Sequence, residues 1–75
     1  MTLREAARRL QAIATEVRDV AGRVDGPEPV RWAVARDLRM VAFRVDAAAV
    51  GAERAGKLAG EPDPEEASEL VEAAR

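Results

Sequence analysis

Apolar residues recur along the first third of the chain at Leu3, Ala6, Leu10, Ile13, Val17, Val20 and Val24, with steps of 3 and 4 in strict alternation. A heptad kept for three repeats predicts an amphipathic helix over about residues 3–25. Ala7, Ala14 and Ala21 stand beside this seam and widen it to the stripe of a core-facing helix. Thr2 and Glu5 open the element with a T-x-x-E capping box. Glu5 with Arg9, and Asp19 with Arg23, add acid-before-base pairs four residues apart.

Gly26, Pro27, Glu28 and Pro29 end that helix, because glycine suits the position after a helix and each proline turns its predecessor away from the α region. So short a connection predicts an antiparallel neighbour. The second helix is read over about residues 29–59, with Pro29 in its first turn and a seam of Val34, Leu38, Val41, Val45, Ala48, Ala52, Ala55 and Ala59. Folded back, Val20 and Val24 should face Val34. Ile13 and Val17 should face Leu38 and Val41, and Leu3 should reach Ala52 or Ala55. Gly51 and Gly56 weaken the last turns of this helix by about 1 kcal/mol each relative to alanine, or else permit close helix approach.

The second helix carries another apolar stripe. Trp32, the aliphatic stem of Arg36, Met40, Phe43, Ala47 and Val50 follow one another at steps of 4, 4, 3, 4 and 3. At about 100° per residue this stripe lies roughly 160° from the Val34 to Ala59 seam. A helix apolar on two sides needs covering on two sides. These six residues are therefore the expected self-association or partner interface, with Met40, Phe43 and Val50 at its centre.

Gly60, Glu61 and Pro62 make a second break, and Asp63, Pro64, Glu65 and Glu66 are a helix start: an N-cap, a proline at N1 and acids at the positive end of the dipole. A third helix follows to about residue 74, with Ala67, Leu70, Val71 and Ala74 on one face. The expected fold is all-α: a helical hairpin over residues 1–60 and an acidic C-terminal helix over 61–75, in one domain. Leu70 and Val71 alone cannot cover the second stripe, so a dimer of hairpins forming a four-helix-type bundle is the expected assembly.

Composition sharpens this picture mainly by exclusion. Of 75 residues, none is His, Cys or Tyr, so disulfides and the common zinc ligand sets are excluded. Nearly half of the hydrophobic residues are Ala, too little bulk for a generous core in so short a chain. With one Ser, one Lys and carboxylates on polar faces, the chain lacks a nucleophile, base or phosphate loop, and no enzymatic activity, cofactor, metal or small-molecule substrate is expected. Neither a membrane span nor a signal peptide is read, and a cytoplasmic location is the expectation.

The net charge of −2 is unevenly spread, +3 over residues 1–60 and −5 over 61–75. Arg4, Arg8 and Arg18 share the outward face of the first helix and form a candidate anion-binding face. That face has no aromatic residue for stacking, and no helix-turn-helix follows it. The opening TLREAARRL resembles the first helix of small helix-turn-helix proteins, but without their turn and recognition helix, and no family is identified. The functional expectation is a small non-enzymatic interaction or regulatory module, homodimeric or docking a partner helix. The alternative is a nucleic-acid-binding accessory or antitoxin-like regulator acting through the arginine face.

Overall fold

The computed structural model describes residues 1–74, excluding the side chains of Ala67, Ser68, Leu70 and Val71. It contains three helices, α1 (Leu3–Val24), α2 (Pro29–Leu58) and α3 (Pro64–Ala73), each ending within one residue of the boundary expected from sequence. The apolar face read for α3 falls largely outside the described side chains. Cα extents of 54 × 27 × 13 Å make the molecule one helix thick. Both broad faces of the α1–α2 hairpin are therefore open.

The helix ends follow local chemistry. Thr2 Oγ1 accepts from the Glu5 N–H at 3.1 Å, the N-cap half of the expected capping box. The Leu3 and Arg4 N–H groups donate to the two carboxylate oxygens of Glu61, 3.2 Å each, so a residue 58 positions away completes the cap. At the other end of α2, Gly60 takes φ +76, the Gly60 N–H donates to the Lys57 carbonyl and the Glu61 N–H to the Gly56 carbonyl. This is a Schellman closure, which needs a left-handed residue and finds a glycine there. Asp63 Oδ1 accepts from the Glu65 N–H at 2.9 Å, as its N-cap reading required.

The packing between α1 and α2 departs from the expected seam. The buried residues are Ala7, Ala14 and Ala21 on α1 and Ala35, Ala42, Ala49 and Gly56 on α2, every one seven residues after the last. All six alanines have no exposed surface, and among the described residues no larger side chain is fully buried. Leu10, Val17 and Val24, with Leu38, Val45 and Ala52, flank the alanine rows and are half-buried. Each helix is thus rotated by about 50° from the expected seam, half of one residue's 100° step. Ile13, Val20, Val34 and Val41, expected at the contact, instead lie outside it, each between 45% and 49% exposed. Rows of Cβ methyls let two backbones approach more closely than rows of Val and Leu, bringing more of the main chain into dispersion contact.

The register is also displaced, toward later residues of α2. Arg39 meets Asp25 at 3.1 Å, Arg18 meets Asp46, and Gly56 lies against Arg4. The cause is the connection: Asp25 and Glu28 are both extended (ψ 147 and 134), and prolines at 27 and 29 hold the segment that way. An extended link sets the start of α2 beyond the end of α1, so each α1 residue faces a later α2 residue. Gly56 supplies the close approach that the sequence left open, because a Cβ there would stand 2.4 Å from Arg4 Cγ and 3.2 Å from Arg4 N. Gly51 meets nothing within 4 Å, and α2 runs through it without a break.

Candidate functional site

Three surfaces carry the residues of interest, and the alanine rows determine where each one lies. On one flank of those rows, α1 presents Arg4, Arg18 and Asp25, and α2 presents Glu53, Asp46 and Arg39. These residues are cross-bonded in three ion pairs: Arg4 with Glu53 at 3.1 Å, Arg18 with Asp46, and Asp25 with Arg39 at 3.1 Å. That flank is the polar edge of the hairpin. The other flanks must then share the opposite broad face, which consists of Leu3, Leu10, Val17, Val24, Ala6, Ile13 and Val20 from α1. From α2 it takes Leu38, Val45, Ala52, Ala59, Val34, Val41, Ala48 and Ala55. No charged residue interrupts it.

This aliphatic face contains every large residue of the two seams read from sequence. The periodicity found the right residues but not what they do: they flank the helix contact and form an exposed sheet of aliphatic side chains. Its half-exposed Leu3, Ile13, Val20, Val34 and Val41 leave on the order of 400 Å² of apolar surface in water.

The second surface is the Trp32 stripe. Trp32, Met40 and Phe43, together with Arg36, Arg39 and Arg44, line an open cleft of about 570 Å³ on the outer side of α2. Phe43 is 73% exposed and Trp32 55%. The Arg36 guanidinium stacks over the Trp32 ring, 5.2 Å from its centroid. Val50 and Ala47 continue the stripe along α2 and are also exposed. The six residues named from sequence for this interface thus share one surface, and Arg39 and Arg44 join it from positions that the apolar pattern did not mark.

The third is the arginine face of α1. Arg4 is held by Glu53, by Asp63 at 3.1 Å and by the Glu61 carbonyl at 3.1 Å, and its side chain is only 12% exposed. Arg8 reaches the same Asp63 carboxylate at 3.2 Å. The backbone N–H of Glu65, together with Arg4 and Arg8, holds the Asp63 carboxyl below the usual aspartate range. Arg18 is engaged by Asp46. All three arginines proposed to bind anions are therefore paired within the chain. The acidic segment 61–63 binds across the end of the hairpin as a clasp that charge counting alone did not locate.

Among the described residues no helix is long and apolar enough to cross a membrane. Comparison of the chain with protein-family models, curated proteins and solved structures returns no match. What the fold defines is a class: an all-helical chain of two long packed helices and a short third.

Proposed function

We propose that this chain is a small non-enzymatic interaction module that works as a homodimer, with two hairpins packing aliphatic face on aliphatic face into a four-helix bundle. One observation carries the reading: the hairpin buries only alanines and Gly56, while the leucines, isoleucine and valines of its two seams are gathered, free of charge, on one open side. At about 25 cal/mol per Å², removing roughly 400 Å² on each protomer from water contributes about 20 kcal/mol in the gross. That exceeds the roughly 4–15 kcal/mol cost of association. A self-complementary face of this kind closes with twofold symmetry and leaves no sticky edge. The Trp32 stripe, expected from sequence to be the self-association surface, faces away from this contact and stays outside the bundle.

The anion-binding alternative finds less support, since Arg4, Arg8 and Arg18 each have a carboxylate partner in the chain. The test is solution mass by sedimentation equilibrium at tens of micromolar. Wild type should run as a dimer, Ile13→Glu with Val41→Glu as a monomer that keeps its helix content, and Phe43→Glu as a dimer. A monomeric wild type would overturn the proposal, and a Phe43→Glu monomer would move the interface to the Trp32 stripe.

A further inference from the structure

The cleft on the outer side of α2 is independent of the dimer contact, and its chemistry specifies an occupant. From Arg36 onward the stripe runs Arg36, Met40, Phe43, Ala47, Val50, Arg54 and Lys57, at steps of 4, 3, 4, 3, 4 and 3. That is the seam of a helix prepared to receive another helix, with large knobs in its middle and alanine at one position to admit a knob from the other side. The chain's only two aromatic residues, Trp32 and Phe43, stand on this surface, and both are more than half exposed. Aromatic and arginine side chains are the types that concentrate binding energy at protein contacts.

The charges that line the cleft have one sign, with Asp37 just outside it. Arg36, Arg39 and Arg44 line it, and no acidic residue does. Arg44 pairs with no carboxylate among the described residues. Arg36 has only an exposed 3.4 Å contact with its neighbour Asp37, whereas Arg39 is already held by Asp25 at 3.1 Å. In a helix pair, residues flanking the seam select the partner by opposite charge. We infer that this stripe docks an acidic amphipathic helix of a partner protein, its apolar residues seated on Met40, Phe43 and Val50 and its carboxylates opposite Arg36 and Arg44. A single-stranded nucleic acid would also use aromatic and arginine side chains. Beyond Phe43 the seam continues through Ala47 and Val50, which offer bases no ring to stack on, and this favours the helix.

Trp32 is the only tryptophan, so its emission reports occupancy of this cleft, and the aliphatic face does not touch it. The probe is a tryptophan-free amphipathic peptide of about four turns, with Leu at its seam positions and Glu flanking them, titrated into the full-length protein. The control peptides carry Lys in place of Glu, and a single-stranded oligonucleotide serves as a polyanion. The Glu peptide should move Trp32 emission to shorter wavelength in a saturable way. Arg44→Glu, or Phe43→Ala, should weaken it about tenfold or more, as loss of a central contact does. These surface changes leave the alanine rows intact, which helix content by circular dichroism verifies. No shift with the Glu peptide up to about 1 mM, an equal shift with the Lys peptide, or a saturable shift with the oligonucleotide alone would each overturn the inference. Because mass and emission are read separately, failure of the dimer does not mask failure of the docking surface.

Discussion

Replacing Ala42 by leucine tests the central packing claim, that the two helices meet through rows of alanine. Ala42 has no exposed surface and sits between the half-buried Leu38 and Val45 on the α1 side of α2. Leucine adds three carbons where the opposing surface is a close-packed backbone and other alanines. The helices must separate or the side chain must leave its preferred rotamer, and overpacking of this kind costs about 1–3 kcal/mol. Separation also removes dispersion contact along the whole pair, which places the expectation at the upper end of that range. For a chain of this size each kcal/mol moves the thermal midpoint by about 4–8 °C, so a fall of about 10 °C or more is expected. The assay is thermal unfolding followed by circular dichroism at a fixed protein concentration, because association raises the midpoint with concentration. Ala47→Leu, an exposed site on the same helix, is the control and should stay within about 0.5 kcal/mol of wild type. Had the contact been the Val34, Leu38, Val41 and Val45 seam, Ala42 would lie at its margin and leucine would add useful burial. An unchanged or raised midpoint for Ala42→Leu would therefore refute the alanine contact.

Other consequences separate cleanly. Gly51→Ala and Gly56→Ala should move in opposite directions in thermal melts. The first should stabilise by about 0.5–1 kcal/mol through helix propensity, since a Cβ at Gly51 meets open space. The second should destabilise, because its Cβ collides with Arg4 and with the Glu61 carboxylate. Glu61→Ala should cost about 1 kcal/mol as a lost N-cap and should increase amide hydrogen exchange at Leu3 and Arg4. For Asp63 the folded carboxyl titrates below its unfolded value, so its contribution is present above the ordinary aspartate pKa and is lost as pH falls through the lower, folded value. Melts taken from pH 6 down to pH 3 should show a loss below about pH 4, and the part of that loss missing in Asp63→Asn measures the clasp. Equal acid sensitivity in the variant would remove Asp63 from that role.

The arginine clasp illustrates how far residue counting reaches. A basic α1 face and an acidic tail were both legible, as was the start of α3 at Asp63. Which arginine meets which acid depends on the register of the hairpin and on the left-handed turn at Gly60, which carries Glu61 and Asp63 back over the N-terminus of α1. Neither is written in the charge pattern. The role of Gly56 is similar: its small size is plain in the sequence, but only the presence of Arg4 across the pair gives that size a purpose.

Three helices, their ends, the short antiparallel connection and the second stripe on α2 are determined by the sequence, because period, caps and prolines act locally. Which apolar row lies between the helices is decided only in the tertiary structure. The expected and observed seams share Leu10, Val17 and Val24 on α1 and Leu38, Val45 and Ala52 on α2, and they differ in the other row, which holds Ile13, Val20, Val34 and Val41 in the expected seam and only alanine and Gly56 in the observed one. A heptad pattern is equally satisfied by either neighbouring row, so periodicity cannot choose between them. The choice depends on how closely two backbones can approach once both helices are present. Alanine opposite alanine allows the closer pair, and the larger residues are left on a face that awaits a second layer.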